Sequence, residues 1–277
     1  MKDRVCVVTG ATSGIGFETA RGLAKLGATV VLVGRSPEKC ASAVARLRRE
    51  TGNPSVESLV ADLSIQADIR KLAEELGRLY PHIHVLVNNV GAVFMNGQVS
   101  AEGVEMTLAL NHLGYYLLTR LLTPVLQASA PSRIVIVSSF AHFGARITPP
   151  DLDFSGWGGY QRSKLANLLF SFELARRLAG TGITVNALSP GYVASGFGLN
   201  NRGLLATLKP MMNVFAVSNE TGARTSIYLA SSPELDGVTG KYYTRCTPRR
   251  SSRASTDRAA AARLWEMSAG MTGLAAD

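Results

Sequence analysis

Cysteine is scarce in this chain of 277 residues, which contains only Cys6, Cys40 and Cys246. An odd number of widely scattered cysteines argues against a disulfide framework and against a zinc site, and it fits a reducing compartment. The four histidines likewise show no metal-ligand spacing, so no metal site is predicted.

The sequence also lacks a basic and then apolar leader, and it lacks an apolar run long enough to span a membrane. We therefore expect a cytoplasmic protein without a membrane span. A Gly-x-Ser-x-Gly elbow is missing too, which argues against a hydrolase of that type. The composition, with 46% hydrophobic residues, still supports a substantial folded core.

The net charge of +9 is concentrated near the C-terminus, where residues 241–263 hold seven basic residues and one acid, Asp257. The basic residues are Lys241, Arg245, Arg249, Arg250, Arg253, Arg258 and Arg263. Such a patch could attract nucleic acid, an anionic surface or a phosphorylated cofactor. Because it lacks any nucleic-acid-binding motif, we interpret it as a solvated basic tail and predict no nucleic-acid partner.

Strand-like and helix-like segments alternate along the chain. The strand-like segments are Val5–Thr9, Thr29–Val33, Val56–Ala61, Val85–Asn88, Ile134–Val137, Thr184–Leu188 and a short Lys241–Tyr243. The helix-like segments are Ile15–Leu26, Glu38–Glu50, Ile65–Leu79, Glu102–Leu126, Gly159–Leu178, Asn219–Ala230 and Asp257–Met267. This alternation predicts an α/β fold, a Rossmann-type doubly wound parallel sheet of about seven strands in a single domain, 1–277. Ligands are then expected at the edge where the carboxyl ends of the strands meet.

A glycine-rich turn, Gly10-x-x-x-Gly14-x-Gly16, follows the first strand and opens the first helix. Glycines allow the backbone to approach a pyrophosphate, and the helix N-terminus offers free N–H groups to the anion. The turn therefore favours a dinucleotide site. The alternative is a tight strand–helix turn that binds nothing.

The end of the second strand carries Gly34 where an NAD site usually places an acid for the ribose 2′-hydroxyl. Arg35 follows, and a guanidinium can hold a 2′-phosphate through charge-assisted hydrogen bonds. We therefore expect NADP(H) to be favoured over NAD(H). The alternative is a solvated arginine before a helix.

Polar residues also follow the third and fourth strands. Asp62, next to Leu63, could accept a hydrogen bond from an adenine amino group or could cap the following helix. Asn89 and Gly91 lie in an Asn-Asn-Val-Gly turn, where backbone and side chain can meet a ligand. A plain polar turn is the alternative.

The strongest catalytic signal is Tyr160 with Lys164, because residues four apart share one face of a helix. A nearby ammonium lowers a phenol's pKa and moves it toward acid–base use. Ser139, in a serine pair at the end of the fifth strand, can donate to a carbonyl oxygen as charge develops there. Asn111 lies in an otherwise apolar helix, where a buried amide must find partners.

In this order and spacing, these residues resemble the short-chain dehydrogenase/reductase family, and most closely its retinol-dehydrogenase-like branch. Phrases similar to that branch are Ser13-Gly-Ile-Gly-Phe-Glu-Thr19, Leu110-Asn-His-Leu-Gly114, Ser163-Lys-Leu-Ala-Asn167 and Gly240-Lys-Tyr-Tyr243. The resemblance implies that Tyr160 is the general acid/base, that Lys164 holds the nicotinamide ribose, that Ser139 orients the carbonyl and that Asn111 completes a water relay. The cofactor-binding residues that it implies are Gly10, Ser13, Gly14, Ile15, Gly16, Arg35, Asp62, Leu63, Asn89, Gly91, Tyr160, Lys164, Pro190, Gly191, Val193 and Ser195.

The expected function is therefore an NADP(H)-dependent oxidoreductase that interconverts an apolar ketone or aldehyde and its alcohol. Two substrate-side loops, about 140–158 and 192–218, would wall the pocket. Their apolar residues are Phe143, Ile147, Leu152, Phe154, Trp157, Met211, Met212 and Phe215. The alternative is a non-catalytic dinucleotide-binding sensor or scaffold. The resemblance also suggests a homodimer or homotetramer formed through the long helices at 102–126 and 159–178.

Overall fold

A computed structural model describes residues 1–95, 97–147, 154–191 and 217–276. Its strands are Val5–Thr9 (β1), Thr29–Gly34 (β2), Val56–Val60 (β3), Val85–Asn88 (β4), Ser132–Val137 (β5), Ile183–Ser189 (β6), Lys241–Thr244 (β7) and Thr247–Arg249 (β8). Its helices are Gly14–Lys25 (α1), Pro37–Thr51 (α2), Gln66–Leu79 (α3), Met106–Leu108 (α4), Gly114–Ala128 (α5), Gly156–Arg177 (α6), Asn219–Ser231 (α7) and Arg258–Thr272 (α8). A π-helical segment, Ala109–Leu113, joins α4 to α5.

The sheet has the order β3-β2-β1-β4-β5-β6-β7-β8. The strands from β3 to β7 pair in parallel, and β8 pairs antiparallel with β7. The chain therefore reverses its direction of travel across the sheet after β3, and β4 returns to the other side of β1. This doubly wound α/β fold confirms the predicted class. The eighth strand is an addition to the seven that the sequence indicated.

Both faces of the sheet are covered, and the central strands are apolar for that reason. Within β1, Val7 packs into the core on one face and Val8 into the core on the other, and both are fully buried. The first core includes Tyr116 and Trp265, and the second includes Phe17. Each buried valine contributes about 1.5–3 kcal/mol relative to an exposed one, so the sheet is held from both sides.

The basic segment 241–263 is not a tail, and that prediction was wrong. It forms β7 and β8 and the beginning of α8, and Tyr242 and Tyr243 of β7 are buried in the two cores. The exposed basic side chains lie along this ordered segment, so the prediction that they are solvated agrees with the structure. Composition showed the charge, but the apolar pair inside the segment determined its place in the sheet.

Helix α8 packs against α6 and the π-helical segment. Trp265 lies between the Tyr116 ring at 5.1 Å and the Phe170 ring at 5.9 Å. The His112 Nε2 atom is hydrogen-bonded to the Ser268 hydroxyl at 2.8 Å. Helix α8 therefore covers part of both long helices that were expected to form an oligomer interface, and the oligomeric state stays a prediction.

The long helix predicted over 102–126 begins later, at Met106. Gly103 has a φ of +74° and its N–H donates to the Ser100 carbonyl, so residues 100–103 form a turn. The Glu105 carboxylate then caps the helix by accepting from the Leu108 N–H. The apolar pattern of the helix did not reveal this turn or the π-helical segment.

Within the described part of the chain, no helix combines the length and the apolar character that a membrane crossing requires. The three cysteines are all free, as expected from their number and spacing.

The buried His112 makes stability depend on pH. Complete burial lowers its pKa from 6.5 to about 4, so the unfolded chain binds more protons than the folded one between these values. Stability is unaffected above pH 6.5 and falls as the pH decreases toward 4, by on the order of 3 kcal/mol. Urea unfolding of His112→Gln should show a lower stability at pH 7 and a shallower loss toward acid than the parent. The exposed His82→Gln is the control, and an identical acid limb in His112→Gln would contradict the assignment.

Candidate active site

Four segments that follow strands of the sheet meet at its carboxyl edge. They are the turn after β1, the turn after β4, the serine pair after β5 and the first turns of α6. Tyr160 and Lys164 lie on α6, and Ser139 follows β5. A hydrogen bond joins the Ser139 and Tyr160 side chains, and the Lys164 Nζ atom lies 5.6 Å from the centre of the Tyr160 ring. The structure thus brings the three residues together, as the sequence predicts.

Lys164 is buried, with its ammonium inside the protein. Its Nζ atom donates to the carbonyl of Val137, the last residue of β5, at 3.3 Å. Burial lowers the pKa of Lys164 to about 8, because removal from water disfavours the charged form. An ammonium held in this way remains a donor near neutral pH and is available to a hydroxyl group placed beside it.

The expectation that Lys164 lowers the phenol's pKa was wrong for this arrangement. Burial raises the pKa of Tyr160 to about 12, and only the hydrogen bond with Ser139 opposes this shift. The Lys164 ammonium faces the ring from 5.6 Å and does not offset the desolvation of the phenolate. Tyr160 is consequently protonated at neutral pH and suited to donating a proton.

The two serines after β5 point in different directions. The Ser138 hydroxyl is buried and donates to the Lys164 carbonyl at 2.8 Å, which fixes α6 to the end of the strand. The Ser139 side chain accepts from the Ala141 N–H at 3.2 Å and faces Tyr160. Ser139 is therefore the serine that faces Tyr160, and its catalytic role stays a prediction, while Ser138 joins α6 to the strand.

Asn111 lies in the π-helical segment and is completely buried. Its Oδ1 atom accepts from the Ala92 N–H and its Nδ2 atom donates to the Ala92 carbonyl, each at 2.9 Å. The same Nδ2 atom donates to the Ser163 hydroxyl at 3.0 Å, and that hydroxyl donates to the Tyr160 carbonyl at 2.7 Å. The buried amide thus finds its partners and ties the turn after β4 to α6. Its part in a water relay stays a prediction.

The glycine-rich turn lies at the β1–α1 junction with the backbone that a pyrophosphate site requires. Gly10 and Gly14 have φ values of +64° and +59°, which only glycine adopts readily. A Cβ atom on Gly16 would lie 2.3 Å from the Gly10 carbonyl oxygen. Ser13 is the N-cap of α1 and its side chain makes no capping hydrogen bond, so it leaves the first N–H groups of the helix to other acceptors. This cradle fits a dinucleotide.

Thr9 and Asn89 hold this turn in place. The Asn89 Nδ2 atom donates to the Thr9 carbonyl at 2.8 Å, and the Thr9 hydroxyl accepts from the Asn89 N–H at 2.9 Å and the Val90 N–H at 3.1 Å. Asn89 was expected to line the nucleotide site, and its contacts show that it also fixes the turn. Thr9 was not singled out from the sequence, although a threonine that closes the strand before Gly10 was the available signal.

Gly91 provides close approach between the turn after β4 and the catalytic residues. A Cβ atom at this position would lie 3.2 Å from Lys164 Nζ and 3.5 Å from Asn111 Oδ1. Tyr115 was not selected from the sequence. Its hydroxyl donates to the Val90 carbonyl at 2.7 Å, and the centre of its ring lies 6.0 Å from Lys164 Nζ. Its position beside Tyr116 in a helical apolar run gave no signal of this contact.

The end of β2 has no room for an acidic side chain in its present packing. A Cβ atom on Gly34 would lie 2.6 Å from Thr12 Cγ2 and 2.9 Å from Cys40 Sγ. Arg35 is exposed, and Ser36 after it caps α2 by accepting from the Lys39 N–H. The guanidinium of Arg35 is therefore free to reach a phosphate near the turn after β1.

Asp62 does not cap α3, so that alternative was wrong. The helix begins at Gln66 with Ile65 as its N-cap. Asp62 Oδ1 instead accepts from the Ser64 N–H and the Ser64 hydroxyl, which folds the chain into a short turn. The adenine contact of Asp62 stays a prediction. The contact of Leu63 with the cofactor also stays a prediction, and the Leu63 carbonyl lies close to Gly114.

The residues expected at the substrate side and at the nicotinamide end have different outcomes. Phe154 is fully buried in a cluster with Leu165 and Leu169, so it packs the core and does not wall a pocket. Trp157 is 53% exposed and its ring lies 5.3 Å from that of Tyr160. Pro190 and Gly191 follow β6. Leu152, Val193, Ser195, Met211, Met212 and Phe215 lie outside the described residues.

Known proteins with similar sequences and structures define the family. The model of the short chain dehydrogenase family matches residues 4–202. Human retinol dehydrogenase 14 is 38% identical over 295 aligned residues, which cover 99% of this chain and 88% of the relative. The crystal structure of an uncharacterized protein from Mycobacterium paratuberculosis has a TM-score of 0.80 and 34% identity, covering 100% of this chain and 96% of that one. The Pseudomonas aeruginosa RhlG/NADP active-site complex has a TM-score of 0.71 and 30% identity, covering 87% and 94%.

The chain belongs to the short-chain dehydrogenase family and, within it, to the retinol-dehydrogenase-like branch. It is an oxidoreductase that acts on CH–OH groups, with NAD(P)-dependent interconversion of carbonyl and alcohol. The resemblance stated from the sequence and the predicted class of enzyme are confirmed.

The close packing at Gly16 predicts the effect of a single methyl group. Gly16→Ala would push against the Gly10 carbonyl and the Asn89 amide, so it should destabilise the fold by about 1–3 kcal/mol and weaken NADPH binding at least about tenfold. Gly270→Ala in α8 is the matched control, because nothing lies within 4 Å of its Cβ position and alanine favours a helix by up to about 1 kcal/mol. Thermal unfolding and NADPH titration measure both. Unchanged NADPH affinity in Gly16→Ala would contradict the assignment of the turn.

Proposed function

We propose that this protein is an NADP(H)-dependent oxidoreductase that interconverts apolar aldehydes or ketones and their alcohols, with Tyr160 as the general acid/base. The observation that carries the proposal is the contact of Ser139 with a protonated Tyr160 beside the buried Lys164, at the same sheet edge as the glycine-rich turn. A carbonyl oxygen placed at the two hydroxyls would receive both a proton and a hydrogen bond.

Each residue has a defined task in this proposal. When bound, the nicotinamide would supply a hydride to the carbonyl carbon of the ketone or aldehyde, or take one from the carbinol carbon of the alcohol in the reverse direction. Ser139 donates a hydrogen bond to the carbonyl oxygen and orients it. Tyr160 transfers its hydroxyl proton to that oxygen as negative charge develops. Lys164 holds the ribose hydroxyls with its ammonium, and Asn111 keeps the turn at Ala92 and α6 in register.

The raised pKa of Tyr160 bears on how the rate of each direction depends on pH. Because the pKa of Tyr160 is about 12, the group is an acid at neutral pH, and reduction of a carbonyl requires an acid. Oxidation of the alcohol would require the phenolate and should therefore gain rate at higher pH.

The choice of NADP(H) rests on Arg35 and Gly34. The exposed guanidinium follows the position that carries an acid in NAD sites, and the packing around Gly34 leaves no space for that acid. A 2′-phosphate would supply a partner for the guanidinium. The RhlG complex, which contains NADP, has the same fold and supports this preference by similarity.

The apolar substrate is proposed from Trp157 and from the relatives. Trp157 presents half of its surface to solvent beside the Tyr160 ring, and Phe140 and Phe143 are exposed on the turn after Ser139. Relatives with 38% identity are named retinol dehydrogenases, and retinol is an apolar alcohol. We also propose a cytoplasmic location, since the three free cysteines fit a reducing compartment.

Removal of the Tyr160 hydroxyl tests the mechanism. Tyr160→Phe should lower kcat with an apolar aldehyde and NADPH by about 10²- to 10⁴-fold, because the proton donor is lost while the ring still packs. NADPH affinity, measured by fluorescence titration, should stay within about threefold of the parent value. Tyr228→Phe, which removes an exposed hydroxyl bonded to Glu234, is the control and should keep full activity. A fully active Tyr160→Phe enzyme would rule out the mechanism.

Removal of the Arg35 guanidinium tests the cofactor. Arg35→Ala should weaken NADPH binding by about 10- to 100-fold, the worth of a charge-assisted hydrogen-bond pair, and leave NADH binding unchanged. Arg49→Ala, at the exposed far end of α2, should change neither affinity. Tighter binding of NADH than of NADPH by the parent protein would overturn the preference and keep the enzyme class.

A further inference from the structure

His142 lies three residues after Ser139, in the 3-10 turn Phe140–Gly144, and is completely buried. Its Nδ1 atom lies 2.6 Å from the Ser139 carbonyl oxygen, and its Nε2 atom lies 3.2 Å from the Ser252 amide nitrogen. A carbonyl only accepts and a backbone N–H only donates, so Nδ1 must carry the proton and Nε2 must be the acceptor. The two bonds define one neutral tautomer.

The ring is also clamped by packing. The Phe143 ring lies 4.1 Å from its centre, and the Tyr242 ring of β7 meets it edge-on at 5.2 Å. Ser252 caps the 3-10 turn Arg253–Thr256 by accepting from the Ser255 N–H. His142 therefore joins the serine turn to two parts of the C-terminal segment, the strand β7 and the turn that precedes α8.

We propose that His142 is a positioning residue for catalysis, which holds the Ser139 backbone in register with Tyr160 through the hydrogen bond that its Nδ1–H donates to the Ser139 carbonyl, while Ser252 and the neighbouring rings orient the imidazole. The effect on turnover rests on the proposed function, whereas the tautomer and its two hydrogen bonds do not. Among the described residues, the other hydrogen bonds of Ser139 stay close to the site: its carbonyl also accepts from the His142 N–H at 3.3 Å, and its side chain accepts from the Ala141 N–H and meets Tyr160. Without the ring, the serine turn loses its connection to the sheet edge formed by β7.

The proposal also gives the C-terminal segment a function. Burial lowers the pKa of His142, so the ring stays neutral and keeps Nε2 as an acceptor for the Ser252 N–H. The segment that carries the basic residues thereby contributes to the geometry of the site through its backbone, with its charged side chains directed to solvent.

Two substitutions separate the two hydrogen bonds. In His142→Asn the amide nitrogen can take the place of Nδ1 and donate to the Ser139 carbonyl. In His142→Gln the amide oxygen reaches the place of Nε2 and can accept from Ser252, while the donor to Ser139 is lost. His84→Gln is the matched control, because His84 Nδ1 also accepts a backbone N–H, from Val5, at the opposite end of the sheet.

Steady-state kinetics with NADPH and an apolar aldehyde should give a graded result. His142→Asn should keep kcat within about threefold, and His142→Gln and His142→Ala should lose on the order of 10- to 100-fold in kcat, as expected for a misplaced catalytic group. NADPH affinity should be unchanged in each, and His84→Gln should have the parent kcat. Equal kcat in His142→Gln and the parent, or an equal loss in His142→Asn and His142→Ala, would overturn the proposal.

Nitrogen NMR of the parent protein labelled with ¹⁵N-histidine decides the tautomer independently of activity and of variant folding. The expected result is one neutral histidine protonated at Nδ1, with a scalar coupling across the hydrogen bond from the Ser252 N–H to Nε2. A ring protonated at Nε2 or doubly protonated at neutral pH would contradict the proposal. A parent protein that turns over no carbonyl compound would contradict the proposed function only. The NMR spectrum would still test the tautomer of His142 in that case.

Discussion

The ammonium of Lys164 is held inside the protein at the carboxyl end of β5, and the geometry of the site depends on how it is held. Val137, the last residue of that strand, accepts the hydrogen bond from Nζ, and Ser138 returns a hydrogen bond to the backbone of the same lysine. These two contacts lock the first turns of α6 to the sheet. Tyr160, one turn earlier on the helix, is thereby placed against Ser139.

Two residues pack closely around the buried ammonium of Lys164. Gly91 allows the turn after β4 to pass within contact distance of Nζ, and Asn111 fixes that turn through both of its amide atoms. The same turn restrains the glycine-rich loop through Asn89 and Thr9. Hydrogen bonds and close contacts therefore connect the glycine-rich turn to Tyr160 and Lys164, and a substitution in one of these parts should alter the geometry of the other.

Much of this could be predicted from the sequence, because it depends on local patterns. The β-branched strand runs, the position of the glycine turn and the four-residue spacing of Tyr160 and Lys164 are all local. The errors have tertiary causes. Asp62 folded into a turn with Ser64, Phe154 entered the core, and burial raised the pKa of the Tyr160 phenol. The strand at Lys241–Tyr243 and the helix from Asp257 were predicted, but the charge of residues 241–263 led to their description as a tail, since composition does not show that two tyrosines pack on opposite faces of the sheet.

The central claim is that a hydride passes between a nicotinamide and an apolar carbonyl at this site. The most direct test uses NADPH carrying deuterium at C4, in each of its two stereoisomeric forms, with an apolar aldehyde and the parent enzyme. Mass spectrometry of the alcohol should find one deuterium on the carbinol carbon from one of the two forms and none from the other. Alcohol formed without deuterium from either form, or no alcohol while NADPH binds, would contradict the account.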